Sequence, residues 1–412
     1  MTMESTIAPS RPRLFRPVNQ PPFAEFVALI AMMFATVALS IDGMLPALPQ
    51  IAADLEVANA NHAQLVVTFF VAGLGIGQLF TGPLSDSFGR RSIISLGTAV
   101  YIGAGVIAAA APSLEVLLAA RLLQGIGISA PRTVAVAMVR DRYQGRMMAK
   151  VMSFVMTLFI IVPACAPFMG QGVMHLAGWR AIFGVYALFG IVGVLWLLCR
   201  QPETLPLAER RPFRLSVILA AMREVLTNRL ILLYITGITL GFGLLFALIS
   251  SAQQIYGTSF GKVESFPLWF FCHAIIGGLA GPVNANLVMR YGMRRMATAG
   301  FLIQAVVSIG AAALWLTGYA AFPVFFVWAT TVFFTNGLLF GNLNALALEP
   351  VGHIAGLASS TVGAVSTLLA VPLAALLGQL FDGTPLPLIL GGCVFSLCGL
   401  GVMAAVRRLA PF

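Results

Sequence analysis

Apolar residues in this chain come in long unbroken blocks divided by short polar punctuation, with none of the alternation of a half-buried strand. A helix needs about 20 apolar residues to cross a hydrocarbon layer. Measured that way, blocks fall near 24–48, 63–83, 92–112, 114–139, 148–175, 180–200, 229–256, 264–289, 296–318, 322–348, 354–378 and 384–407. Six lie on each side of the longest polar stretch, 201–228. The pattern predicts an all-α membrane protein of 12 transmembrane helices in two pseudo-symmetric halves. It divides into an N-terminal tail (1–22), a first six-helix half (23–200), a linker (201–228), a second six-helix half (229–408) and a C-terminal tail (409–412). Within the linker, residues 213–225 are expected to lie on the membrane surface as a short amphipathic helix.

Composition agrees. Of 412 residues 59% are hydrophobic and 9% charged, against about 25% charged in a soluble chain. The formal net charge of +10 raises the question of nucleic acid, but the basic residues sit where membrane topology wants them. With a cytoplasmic N-terminus, the inner segments hold every Lys and Arg except Arg121 and Arg132, inside span 4, and Arg180 and Lys262, on the outer side. An excess of basic residues marks the cytoplasmic side, so both termini are expected inside and no nucleic-acid partner is needed. The five cysteines fall in or at the ends of apolar spans without metal-ligand spacing, as small hydrophobes do. No cofactor or metal is expected, no signal peptide is visible, and the phosphate-cradling lysine motif of ATP-driven proteins is absent.

Between spans 2 and 3 lies Gly82-Pro83-Leu84-Ser85-Asp86-Ser87-Phe88-Gly89-Arg90-Arg91, read as a Gly-Pro stop followed by a tight charged turn. The order of its charges resembles the loop between helices 2 and 3 of the major facilitator superfamily of transporters, with Gly82, Leu84, Asp86, Gly89, Arg90 and Arg91 on the fixed positions. The second half carries a weaker echo: Gly277-Gly278, then Gly281-Pro282, then Arg290-Tyr291-Gly292-Met293-Arg294-Arg295, without the acid. The resemblance implies a duplicated six-helix fold with a substrate cavity between the halves. It also implies a conformational gate in which Asp86 meets the inner start of helix 11 near Gly352 to Gly356, while Arg90 and Asp141 complete a charge cluster.

Charges inside spans need an explanation, because hydrocarbon does not solvate them. Asp42 in span 1 and Arg121 in span 4 lie at similar depth, about 9–10 Å of helix rise from the outer face. They are plausible partners, either as a static buried pair or as the proton-coupling site. Arg132 follows Arg121 by 11 residues, close to three turns, so both guanidinium groups point the same way about 16 Å apart. It either lines the cavity, making its inner end cationic and suited to neutral or anionic substrates, or snorkels toward the cytoplasm; the sequence leaves both open. His273, at mid-depth in span 8, is a further cavity candidate, against the plainer reading of a ring hydrogen-bonded between helices. Asn336, Asn342 and Asn344 in span 10 and Gln253 and Gln254 in span 7 add neutral polar groups that either orient a ligand or knit helices.

Further segments are similar to the bicyclomycin/chloramphenicol-resistance branch of proton-driven antiporters. These are Asp42 with the following Leu-Pro-Ala-Leu-Pro run, and Arg121-Leu122-Leu123-Gln124-Gly125-Ile126-Gly127 in span 4. Pro163, Pro167, Gly170 and Gly172 in span 5 match the antiporter helix 5, and Gly178-Trp179-Arg180 and Pro202-Glu203-Thr204 also fit. That branch implies proton-coupled export of small organic molecules, antibiotics of chloramphenicol or bicyclomycin type among them, by a monomer in a bacterial inner membrane. Its partners would be substrate, protons and lipid. Gln124 joins Arg132, His273, Asn336 and Asn342 as an expected cavity residue. A metabolite exporter or proton-coupled importer on the same scaffold is the alternative. A membrane enzyme would need clustered His, Asp or Glu, and the four histidines are scattered; a channel would need a continuous polar ring.

Overall fold

The computed structural model describes residues 20–210, 212–319 and 321–410. Most of the expected N-terminal tail and the last two residues of the C-terminal tail lie outside the described residues, as do some side chains between 145 and 160. The described chain is helical, with no strand. In order the helices are α1 (Phe23–Asp42), α2 (Leu48–Asp54), α3 (Leu65–Phe88), α4 (Arg90–Ala109), α5 (Leu114–Arg142), α6 (Gly145–Ala177) and α7 (Arg180–Arg200). Then come α8 (Leu215–Thr227), α9 (Arg229–Gln254), α10 (Phe266–Gly278), α11 (Ala280–Tyr291), α12 (Met293–Leu316), α13 (Phe322–Leu348), α14 (Ala355–Gln379) and α15 (Leu386–Leu409). Among the described residues, counting α10 and α11 as one broken span, 12 elements have the length of a membrane span, and α8 falls where the surface helix of the linker was expected.

Three expected boundaries move for physical reasons. The Gly82-Pro83 pair does not end its helix: α3 runs through Pro83 to Phe88. Proline removes one backbone donor, the one that would have met the Leu79 carbonyl; beyond it the helix continues, with Ser85 Oγ donating to the Gly82 carbonyl (2.8 Å) and Ser87 Oγ to the Pro83 carbonyl (3.1 Å). The break comes at Gly89, whose φ of +93° suits glycine. Gly292, between α11 and α12, repeats this conformation at φ +81°, so the duplication seen in the sequence is also one of backbone geometry. Span 1 ends at Asp42; the chain then makes a short 3-10 turn, Leu45–Ala47, before α2. Span 8 breaks at Leu279, where Pro282 denies the Gly278 carbonyl its partner.

We call the face carrying Phe23 and Leu409 the terminal face and its opposite the distal face. The largest cluster of buried apolar residues draws on both halves toward the distal face, including Phe70, Leu74 and Phe183 from the first and Leu244, Phe270 and Trp328 from the second. Toward the terminal face the core forks. One branch, around Phe26, Val134 and Leu197, belongs to the first half alone, and the other, around Tyr234, Leu343 and Val406, to the second. The halves meet through α3 against α14 and α6 against α10.

Close approach of helices rests on glycine. A Cβ on Gly125 of α5 would sit 2.0 Å from the Phe70 carbonyl oxygen of α3, and one on Gly127 would sit 2.6 Å from the Gly97 carbonyl oxygen of α4. Backbone cannot move aside as a side-chain tip can. Gly125→Ala should therefore force α3 and α5 apart and destabilise the protein by about 1–3 kcal/mol, read as a lowered thermal midpoint in detergent. Gly172→Ala, where a Cβ meets nothing within 4 Å, should leave the midpoint in place. Equal midpoints for the two variants would contradict this packing.

Candidate functional site

A cavity of about 350 Å³ occupies the fork. Its walls are stripes of residues three or four apart on facing helices: Gln78, Gly82 and Asp86 on α3, Arg132, Val136 and Arg140 on α5, and Gly356, Ser360, Gly363 and Thr367 on α14. Spacings of three and four keep side chains on one helical face. Phe34, Phe242, Phe340 and Asn344 also line it. Arg132 thus lines the cavity. It lies ten residues, about 15 Å of rise, from the terminal end of α5, too deep for its side chain to reach that face. Among the described residues it makes no ion pair or hydrogen bond.

Asp42 and Arg121 do not pair. The Arg121 guanidinium, fully buried, donates to the Ser40 carbonyl (Nη2, 2.7 Å), the Val66 carbonyl (Nε, 3.2 Å) and Gln124 Oε1 (Nη1, 3.0 Å). It also stacks over Phe70 with 4.3 Å to the ring centroid. Its attachment is therefore to the backbone two residues before Asp42. The Asp42 carboxyl is 5% exposed, and its Oδ1 has no hydrogen-bond partner among the described residues. The Tyr186 hydroxyl, equally without one, lies 3.1 Å from where a Cβ on Gly43 would be. α6 presses on the same point: a Cβ on Gly170 would fall 1.9 Å from the Gly43 carbonyl oxygen. Of the antiporter-like residues of α6, Gly170 thus touches the Asp42 turn, Pro163 and Pro167 lie within a continuous helix, and Gly172 faces open space.

The gate residues assemble at the terminal face. Arg90, 3% exposed, bonds Asp141 through Nε (2.9 Å) and reaches Ser85 Oγ (2.7 Å) and Asp86 with Nη1. Sequence reasoning missed what holds this cluster: Glu203 accepts from the Arg90 and Arg91 backbone amides (2.9 and 3.1 Å), capping α4. A carboxylate there satisfies orphan donors and the helix dipole together. Thr204 Oγ1 adds a bond to Asp141 (3.0 Å). Gly89 leaves room for this lock, since a Cβ there would meet Glu203 Oε2 at 2.8 Å. Asp86 and Gly356, expected to meet, both line the cavity, and no amide at the start of α14 donates to Asp86 among the described residues.

The distal face is closed instead, by a polar clasp between the halves. Gln64 Nε2 donates to Gln254 Oε1 (2.7 Å), Gln254 Nε2 to Asn61 Oδ1 (2.7 Å), and Ser251 Oγ to Gln64 Oε1 (2.9 Å). Asn61 Nδ2 donates to the Phe381 carbonyl (2.9 Å), and Gln379 Nε2 returns a bond to the Asn61 carbonyl (2.9 Å). Of these only Gln254 was picked out in the sequence; Asn61 and Gln64, three apart at the start of a span, were the available signal.

The other expected cavity residues lie elsewhere. His273 is walled between helices: its Nε2 pairs with the Tyr256 hydroxyl, its Nδ1 with Thr330 Oγ1 (2.7 Å), and Phe333 stacks on the ring. Asn342 Nδ2 bonds Asn284 Oδ1 (2.7 Å), knitting α13 to α11, and Asn336 Nδ2 bonds the Val332 carbonyl (3.0 Å). Gln124 is committed to Arg121. None of the four lines the cavity. A mid-span polar residue meets a neighbouring helix as readily as a cavity, and helical period alone does not separate the two.

Comparison with known proteins places this geometry. The sequence model described as Major Facilitator Superfamily matches residues 28–375. A bicyclomycin resistance protein homolog of Haemophilus influenzae is 28% identical over 377 residues, covering 90% of this chain and 93% of its own. The multidrug resistance protein MdtL of Escherichia coli strain K12 is 30% identical over 332 residues, covering 78% and 80%. A solved D-xylose-proton symporter matches with a TM-score of 0.72 over 92% of this chain and 97% of that one, at 15% identity, a likeness of fold.

The clasp predicts its own release. Each hydrogen bond contributes about 1 kcal/mol net, so Gln64→Ala, losing two, should raise the distal-open population roughly thirtyfold. The readout is maleimide labelling of Ser250→Cys, buried beside the clasp, in a background without the native cysteines. An unchanged labelling rate would show that the clasp does not hold the face shut.

Proposed function

Because the chain belongs to the major facilitator superfamily, we propose that it exports small organic molecules from a bacterial cell across the inner membrane in exchange for protons. The names of its relatives support multidrug or antibiotic efflux as the physiological setting. The excess of Lys and Arg at the terminal face supports a cytoplasmic location for that face and for both termini. The cavity then opens to the cytoplasm, and the clasp seals the far side. Substrate enters between the halves, and their rocking about the fixed site delivers it outward.

The observation that carries the proton half of this reading is the Asp42 carboxyl, buried without a countercharge in contact. Arg121 is spent on backbone carbonyls and Gln124. A proton is therefore the partner that Asp42 can gain and lose as the helices move. Gly170 of α6 against Gly43 gives rocking of the halves a direct mechanical route to the acid, because α6 also packs on α10 of the second half. Asp42 takes its proton from the outer side when the clasp opens, and surrenders it inward when the cytoplasmic cavity re-forms and fills.

Expression in an efflux-deficient bacterial host, tested against a panel containing chloramphenicol and bicyclomycin, should raise the inhibitory concentration of some compounds several-fold. A protonophore should abolish the protection. Asp42→Asn, at equal expression, should return resistance to the level of the empty vector. Full resistance in the variant would move coupling away from Asp42, and an unprotected wild-type host across the whole panel would refute drug export.

A further inference from the structure

The cavity is more cationic than a pocket for neutral drugs requires. Among its lining residues Arg90, Arg132 and Arg140 face one acid, Asp86, and that acid is already held by Arg90, which also holds Asp141. The positive surplus therefore rests on Arg132 and Arg140, two turns apart on the same face of α5.

Arg132 is the telling member. Three of the structure's deep or gating polar groups have their needs met inside the protein: Arg121 by carbonyls, Arg90 by two carboxylates, His273 by two hydroxyls. Arg132, about midway along α5, has no such partner among the described residues and points into the cavity. Its charge is only partly covered and faces the cavity, so an entering anion is the countercharge that the protein itself does not supply. A guanidinium presents a planar fork of donors that matches a carboxylate in two-point contact. Around it stand neutral donors, Thr133, Ser359, Ser360, Thr367 and Asn344, and the aromatic faces of Phe242 and Phe340, whose centroids lie 4.9 Å apart.

We propose that the preferred cargo is an amphiphilic organic anion: its carboxylate is gripped by Arg132, its apolar body rests against Phe242 and Phe340, and Arg140 draws it in at the mouth. This rests on the exporter reading above and narrows its substrate class. It also gives export a second driving force. An anion leaving as a proton enters moves two charges in the direction that a negative-inside potential favours.

A matched pair of probes isolates the charge: 2-naphthoate and 2-naphthamide share a ring system and differ in the ionised group. Binding of each is measured by equilibrium dialysis at pH 7.5 on purified protein in phosphatidylcholine nanodiscs. Wild type should bind the naphthoate about tenfold more tightly, the effect of roughly 1.4 kcal/mol. Arg132→Gln should bring the two affinities together, and Arg132→Lys should keep part of the preference. Equal affinities in wild type, a preference for the amide, or no naphthoate binding at millimolar concentration would overturn the proposal. So would a preference that survives Arg132→Gln. Were Arg132→Gln not to yield folded protein, the wild-type ratio and its reduction in Arg132→Lys would still decide. In nanodiscs that also contain phosphatidylglycerol the naphthoate affinity should hold; its collapse would assign the site to a lipid headgroup and reject the soluble anion. Drug resistance in cells is scored separately with neutral compounds, so failure here leaves the exporter reading standing, and failure there does not produce this result.

Discussion

The arrangement around Arg121 sets the terms for the rest of the first half. A guanidinium sealed from water inside a membrane protein must have its donors satisfied, because the interior offers no alternative solvent. Here two backbone carbonyls, one amide oxygen and the face of Phe70 do so. They come from α1, α3 and α5 itself, so the cation binds three helices at one point. Gly125 and Gly127, just beyond Arg121, let α5 lie against α3 and α4 closely enough for that contact. The same arrangement leaves Asp42 without the static ion pair that its depth suggested. A carboxyl neutralised permanently by arginine would be structural; the Asp42 carboxyl has no ion pair or hydrogen bond with Arg121 and is free of that constraint.

One-sided access follows from how apolar and polar contacts are divided between the two ends. At the distal end the hydrophobic core crosses from one half to the other, and amide side chains and a serine bridge the seam. At the terminal end each half has its own core, and the ion network of Arg90, Asp86, Asp141 and Glu203 lies within the first half and the start of the linker. That network braces the α3–α4 corner without joining it to α14. Neutral hydrogen bonds of this kind are individually weak, which suits a closure that must open again in each cycle. The packed glycines tighten contacts within the first half, whereas the amide clasp joins the two halves.

Much of this was legible in the sequence because membrane constraints are blunt. Hydrocarbon thickness sets span length, so 12 spans and the linker could be read from apolar blocks. Charge order in the 82–91 segment pointed to the Arg90 cluster. The repeat of Gly89 in Gly292 foretold a repeated backbone turn. What was not legible depends on which face of a helix meets what. Pro83 looked like a helix stop and is carried within α3, which ends only at Gly89, where the backbone turns to positive φ. His273 and Asn342 have the composition of ligand contacts, yet they tie neighbouring helices together. Conversely, the serine and threonine face of α14, which walls the cavity, is made of residues too ordinary to stand out.

The central claim is that substrate and proton compete through Asp42. It is tested most directly by adding a compound to which the protein confers resistance to purified protein in weakly buffered detergent and following pH with a soluble indicator. Wild type should release protons in proportion to substrate bound, with the yield falling at higher pH as fewer sites begin protonated, and Asp42→Asn should release none while still binding. Equal release from both proteins would place the exchanged proton elsewhere and contradict the account.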